Sequence, residues 1–345
     1  MDIRLTRNDV VAEAKALKNS AALAPFFKIT VQWLQIVCAF ALFYLYPHWW
    51  IYIPVVIFVS ARQYALAVLL HDAQHSLLHT DKIVNQRLGE WLVAAPLGAV
   101  FVDSQKNHLD HHFNFGSRER DPDYALYCCG DPAQKQSISQ LTRRLGGTLF
   151  GEKAIQSLLQ VLLRSDDQGQ RRSPPANRNL LSLLIGFLRK LWPAIVVQAV
   201  FFAAFSWFYG WYGYFALWLL PLATLAAFYN DVRIFCEHSL IGRDANDPDE
   251  RMVTFISNPI ERFFFAPNHM NYHAEHHLFP YVPHRYLPAL RQTIRKCPEL
   301  NDRIEWRHSY VGHLRSYIRG FKQAQAAIAR PDGGEAGSDA ATQGL

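Results

Sequence analysis

The sequence predicts an all-α, integral-membrane fold of four transmembrane helices in two hairpins, joined to a cytoplasmic helical cap. Three observations carry that prediction. No Asp, Glu, Lys or Arg occurs from Ile29 to Ala61 or from Leu191 to Asn230, and each stretch is near or above the roughly 20 apolar residues a spanning helix needs. Between them, basic residues gather in one polar stretch. Three histidine clusters lie just beyond or between the apolar stretches: His71-Asp-Ala-Gln-His75, His108-Leu-Asp-His111-His112 and His273-Ala-Glu-His276-His277. Half of the residues are hydrophobic, yet mean hydropathy is only −0.05, so apolar segments must alternate with strongly polar ones.

Taken in order, Met1 to Ala24 is charged and has no apolar h-region followed by a cleavage site, so residues 1–28 read as a cytoplasmic N-terminal segment rather than a signal peptide. Spans are expected at about 29–46 and 50–70, separated by Pro47-His48-Trp49-Trp50. Arg62 and Gln63 interrupt the second apolar run and are read as marking where that helix leaves the bilayer. Glu90 to Val102 is apolar but short and contains Pro96 and Gly98, which suits an interfacial or re-entrant segment. Residues 163–178 read as a polar surface loop. Two further spans are expected at about 191–209 and 212–230, broken at Tyr209-Gly210-Trp211. Residues 231–325 read as a mixed helical cap, so that 29–325 form one membrane domain, and 326–345 read as a disordered tail.

Both hairpin turns are rich in Trp and Tyr and hold no Lys or Arg, the pattern of an interfacial aromatic belt. Lys106, Arg118, Arg120, Arg143, Arg144, Arg164, Arg171, Arg172, Arg189 and Lys190 all fall in the central stretch. The positive-inside rule therefore places that stretch and both termini in the cytoplasm, and all three histidine clusters then emerge on that face. The five cysteines form no C-x-x-C pair and would lie in spans or on the reducing side, so no structural disulfide is expected. A net charge of +6 is explained by topology and anionic headgroups; no helix-turn-helix, RNP or zinc-finger spacing supports a nucleic-acid partner.

Within each cluster the histidines recur at i, i+3 or i+4, so on a helix they share a face. Imidazole suits borderline ions such as iron and zinc, and this many donors exceed the four that one tetrahedral zinc accepts. The economical reading is a two-metal site at a membrane face. A zinc-dependent membrane hydrolase is the alternative of a different class. Its general-base Glu in H-E-x-x-H would be replaced by Asp72, and one zinc would leave most of the histidines idle.

The three boxes, in this order around two apolar hairpins, resemble the membrane-bound fatty acid desaturase and hydroxylase family over roughly residues 30–300. Asp121-Pro122-Asp123 after the second box and Tyr272-His273-x-Glu275-His276-His277-Leu278-Phe279-Pro280, followed by Val282-Pro283-His284 and Leu287-Pro288, are similar to its bacterial branch. The resemblance implies a di-iron centre, with two iron ions held by His71, His75, His108, His111, His112, His273, His276 and His277. It adds His238, in Arg233-Ile-Phe-Cys-Glu237-His238, because the family uses a histidine shortly after the last span. Where animal acyl-CoA desaturases place an asparagine four residues before that histidine, this chain has Ile234; Asn268 and Asn271 are the candidate substitutes.

Asp72, Asp110, Glu237 and Glu275 are the expected partners of the ligands' second ring nitrogens, and Asp121 and Asp123 are candidates for orienting the second box. His79, His269, His284, His308 and His313 stay outside the ligand set, with His269 the nearest to inclusion, and His48 falls at the opposite interface. The implied reaction is O2-dependent desaturation of an acyl chain entering from the bilayer, with hydroxylation or carotenoid ketolation as alternatives within the family. The sequence holds no haem or nucleotide fingerprint, so an external electron donor of ferredoxin, rubredoxin or cytochrome b5 type is expected, with Arg143 and Arg144 as basic contacts for it. The location implied is a bacterial inner membrane.

Overall fold

A computed structural model of the protein describes residues 4–18, 24–127, 137–156, 180–239 and 252–328. The loop read at 163–178 and most of the tail read at 326–345 lie outside the described residues. Helix α1 (Arg7–Lys18) precedes the first hairpin, α2 (Ala24–Leu45) and α3 (Trp49–Gln74). Next come α4 (Lys82–Gly89), α5 (Phe101–Asn114), the single turn α6 (Tyr124–Tyr127) and α7 (Ile138–Leu149). The second hairpin is α8 (Leu180–Tyr209) and α9 (Tyr214–His238). The cap then adds α10 (Pro259–Phe265), α11 (His273–Leu278), α12 (Leu287–Ile294), α13 (Pro298–Asn301) and α14 (Tyr310–Ile328).

Among the described residues, four helices are long and apolar enough to cross a membrane: Phe26–Leu45, Trp49–Gln74, Leu188–Tyr209 and Tyr214–His238. They form the two expected hairpins. At the second turn Gly210 takes φ +79°, a conformation costly for any residue with a Cβ. The spans are not equivalent: 72% of the most apolar window of α3 is buried in protein, against 17% for α2 and for α8, so α3 is the central post. α3 runs on past Arg62 and Gln63 to Gln74. The Arg62 guanidinium donates to Gln32 of α2 (3.2 Å) and to the Phe263 carbonyl (3.3 Å), and the Gln63 amide donates to the Trp218 carbonyl of α9 (2.9 Å). Buried donors in a span need such acceptors, because no water is there to replace them.

The segment at 90–102 is no fifth span. Glu90–Ala94 prolongs α4 as a π-helical turn tucked against the spans, where the Trp33 indole donates to the Leu92 carbonyl (3.0 Å) and Gln198 donates to those of Ala95 and Pro96 (both 2.8 Å). Asp81 starts α4 by accepting from the Ile83 and Val84 amides, which answers two of the donors a helix N-terminus leaves unpaired.

The helical cap is joined by a two-stranded parallel sheet that the sequence did not announce: β1 (Val253–Phe255) pairs with β2 (Glu305–Arg307), Thr254 opposite Trp306. Val10 and Ala14 of α1 pack among Leu287, Leu290 and Ile294 of α12, and the Leu5 amide donates to the Lys296 carbonyl (2.8 Å). The N-terminal helix is thereby part of the cap rather than a separate segment. Cys38, Cys236 and Cys297 are free thiols.

Gly89 is where α4 meets the end of α3. A Cβ there would fall 2.6 Å from Cε2 of Phe101 and 2.8 Å from Cβ of Ala73. Gly89→Ala is expected to cost about 1–3 kcal/mol, read as a lowered melting temperature in detergent; an unchanged temperature would mean that Phe101 yields.

Candidate metal centre

The histidines of the three boxes, together with His238, converge from four helices. α3 supplies His71 and His75, α5 supplies His108, His111 and His112, α9 supplies His238, and α11 supplies His273, His276 and His277. They sort into two adjoining groups. Ring nitrogens of His71, His75, His108, His112 and His276 all lie within 4.8 Å of one another, and so do those of His111, His238 and His277. His273 joins the second group, its Nε2 being 2.9 Å from that of His238 and 3.0 Å from that of His277.

The sorting follows from helix geometry. In an H-x-x-H-H box, positions i and i+4 stand almost above one another while i+3 is turned to the other side. On α5, His108 and His112 turn to the first group and His111 to the second. On α11 the assignment is reversed: His273 and His277 turn to the second group and His276 to the first. Each box thus serves both groups, and the two meet where the rings of His112 and His277 stack at 4.4 Å.

The donor set fits metal ions. Two nitrogens each about 2.1 Å from one ion lie about 3.0 Å apart when they subtend a right angle, and about 3.4 Å apart at the tetrahedral angle. The Nε2 pairs His75–His108, His112–His276, His238–His273 and His273–His277 are separated by 2.7, 3.0, 2.9 and 3.0 Å, which suits the right angle of a higher coordination number. Direct imidazole hydrogen bonds explain this less well: Nε2 of His273 faces two other Nε2 atoms, and one proton serves only one such contact. Both ring nitrogens of His71 are buried without a hydrogen-bond partner. Leaving such a group unsatisfied costs about 1–3 kcal/mol, which a bound cation offsets.

Burial favours the neutral form of six of these imidazoles. It pushes His75 down to about 4 and His112 to about 2, and it drives His108, His273, His276 and His277 well below the ordinary range, with neighbouring imidazoles adding to the effect. Burial also raises Glu275 to about 7.

The carboxylates take different places. Asp121, 3% exposed, lies 2.8 Å from Nδ1 of His111, and is fixed in turn by the Tyr127 hydroxyl and by the amides of Gly116 (3.1 Å) and Asp123 (2.9 Å). Glu237 has Oε2 3.5 Å from Nδ1 of His273 and 3.2 Å from Arg233, and its Oε1 accepts from the Tyr310 hydroxyl (3.0 Å). A carboxylate at Nδ1 selects the tautomer whose Nε2 lone pair points inward. Asp72 instead meets His284, Oδ1 to Nδ1 at 2.9 Å. Glu275 accepts from Thr254 (2.5 Å) and lies 3.6 Å from Arg291, so it joins α11 to β1 and α12. Asp110 is half-exposed on the outer side of α5, beside Lys106, and Asp121 occupies the place at His111.

Other expectations change too. Ile234 packs with Tyr124 and Tyr127, while the side-chain amides of Asn268 and Asn271 donate to the carbonyls of Ala65 (3.1 Å) and Phe255 (2.8 Å). Of the five histidines set aside, the one at the cluster is His284, not His269. Its ring centroid is 4.8 Å from that of His71 and 5.0 Å from that of His276, whereas His269 stands against Tyr272. The signal for it was present as Val282-Pro283-His284, seven residues beyond the third box. Arg144 is not a mobile surface charge: it donates to the Leu126 carbonyl and lies over the Phe235 ring, and Arg143 is the exposed one of the pair.

Comparison with known proteins settles the family. The sequence model of the family described as Fatty acid desaturase matches residues 47–308. The chain belongs to the fatty acid desaturase family. It is 23% identical over 243 residues to the dihydrorhizobitoxine desaturase of Bradyrhizobium elkanii, a match covering 68% of this chain and 65% of that protein. It is also 23% identical over 265 residues to the acyl-lipid (7-3)-desaturase of Rebecca salina, covering 69% and 56%. The chain thus spans less than two-thirds of the length of these relatives. With four spanning helices, this member of the family is a membrane protein.

Two measurements test the centre. Because His75 is held at about 4, below its unfolded value, the unfolded chain binds more protons between the two values and stability rises with pH there. The stabilisation is present above about pH 6.5 and is lost on acidification toward 4, so the metal-free melting temperature is expected to fall across that window; a flat profile would contradict the buried neutral cluster. Asp121→Asn removes the charged acceptor at His111 and is expected to lower metal affinity about 10–100-fold, measured by competition with a chelator.

Proposed function

We propose that the protein is an O2-dependent, two-iron membrane oxidoreductase that introduces a double bond into an acyl chain. The observation that carries this reading is the reciprocal division of the two H-x-x-H-H boxes into adjoining nitrogen-donor groups, in a chain of the desaturase family. Overall, a –CH2–CH2– unit, O2, two electrons and two protons give –CH=CH– and two waters.

His71, His75, His108, His112 and His276 would hold one iron, and His111, His238, His273 and His277 the other. Bound there, the two irons would supply the redox chemistry that activates O2 toward an unactivated C–H bond. The protein's part is positional and dielectric. Asp121 meets Nδ1 of His111 in a hydrogen bond that keeps that ring aimed inward, and the Glu237 carboxylate lies 3.5 Å from Nδ1 of His273. Five of the nine rings are buried, which limits the access of water to the centre.

Both relatives are named for desaturations, one of dihydrorhizobitoxine and one of an acyl lipid, so they agree on the reaction while their substrates differ. The bilayer setting favours the acyl chain, because an apolar substrate can reach the centre laterally. Hydroxylation and ketolation are the alternative outcomes within the same chemistry. The distribution of Lys and Arg supports a cytoplasmic placement of the centre and both termini, in a bacterial inner membrane, where a ferredoxin, rubredoxin or cytochrome b5-type donor would deliver the electrons. The number of donors, two groups of five and four imidazoles, favours this reading over a hydrolase with one zinc, which takes four ligands.

The test compares the lipid and pigment profiles of a host making the intact protein with those of one making His276→Ala, alongside metal analysis of the purified proteins. A new double bond made only by the intact protein, which carries about two irons per chain, is the expected result. A single zinc, with no change in either profile, would overturn the reading.

A further inference from the structure

His284 lies outside the nine histidines assigned above, yet its environment is that of a metal ligand. Its side chain is fully buried at the first group, its ring centroid as close to His71 (4.8 Å) and His276 (5.0 Å) as His71 is to His75 (5.2 Å). Its Nδ1 lies 2.9 Å from Oδ1 of Asp72, and its own backbone amide approaches the same oxygen at 3.4 Å. Asp72 belongs to the first histidine box, adjacent to His71. Neither ring nitrogen has a partner in hydrogen-bond geometry, and the carboxylate beside Nδ1 favours the tautomer with hydrogen there and a lone pair on the buried Nε2. A lone pair in this position needs either a proton donor or a cation, and the adjacent His71 and His276 are themselves nitrogen donors to the first group.

We infer that His284 is a tenth imidazole donor, serving the first metal site through Nε2 and oriented by Asp72. The inference rests on the two-metal reading and extends it to a residue beyond the boxes. It also gives Asp72 a use. The carboxylate expected to support an imidazole of its own box instead orients one brought in by the 3-10 turn His284–Tyr286, where Pro283 precedes the ring and the wholly buried Val282 and Leu287 anchor both sides.

The competing role is a tether, in which the Asp72–His284 contact merely fastens that turn to α3. His284→Asn separates the two, since an asparagine amide keeps a donor near the Nδ1 position but removes Nε2. The full chain would be purified in detergent, with iron per chain, resistance to a chelator and nitrogen coordination from iron X-ray absorption as readouts. For the ligand, the Asn variant stays monodisperse and helical but falls from about two irons per chain toward about one, or releases one at least ten-fold faster. Asp72→Asn, which keeps Nε2 but weakens its orientation, is expected to lose iron affinity about 10–100-fold. If His284→Asn does not remain monodisperse, His284→Gln is judged by the same criteria. Iron content, retention and absorption spectrum unchanged from the parent would overturn the inference and leave the tether. A parent protein that itself holds no pair of irons would instead overturn the two-metal reading, a result distinguishable because it appears before any substitution is made.

Discussion

Gathering nine imidazoles, five of them buried, with ring nitrogens turned toward one another is the constraint on which the rest of this structure depends. Nitrogen atoms 2.7–3.0 Å apart attract one another only if a proton or a cation lies between them, and burial favours the neutral form of rings such as His276 and His277. The arrangement is therefore unfavourable for the bare polypeptide, and the surrounding fold must hold it in place. Metal binding converts the same arrangement into a stabilising one, because ligands already gathered and deprotonated need little reorganisation.

The fold supplies that support from two directions. From below, α3 and α9 carry histidines at their ends, and α3 is held by side chains bonded to backbone in the neighbouring span and cap: Gln63 to Trp218, and Tyr64 to Phe265 at 3.0 Å. From above, α11 is fixed by Glu275, which ties it to Thr254 of β1 and lies against Arg291 of α12. The small sheet and the cap helices so determine where His273, His276 and His277 stand. Carboxylates then act at the centre's edge: Asp121 and Glu237 each meet an imidazole Nδ1, and each is anchored by a tyrosine hydroxyl, from Tyr127 and Tyr310.

Within the fatty acid desaturase family, the chain shows how little of such a donor cluster resides in any one element. Each of the two H-x-x-H-H helices contributes to both groups, so displacement of either would disturb both together. Metals held there would be lost in concert because the groups share α5 and α11, whereas the edge contact of Asp121 bears on one group.

The four spans, the hairpin turns and the three boxes were legible in the sequence because they depend on local quantities: the length of an uncharged run, aromatic turns and 3.6-residue periodicity. These also made the family recognisable, and His238 followed from the resemblance. What was not legible depends on contacts between residues far apart in the chain. No local pattern tells which carboxylate meets which ring, and adjacency misled there: Asp110 sits beside the second box yet points outward, while Asp121, ten residues after His111, reaches it because a turn folds back over α5. The partnership of Asp72 with His284, separated by 212 residues, and the use of Asn268 and Asn271 on backbone carbonyls could not be read before the cap was placed over the spans. Sequence periodicity determined which residues could share a helix face; tertiary packing decided what each face meets.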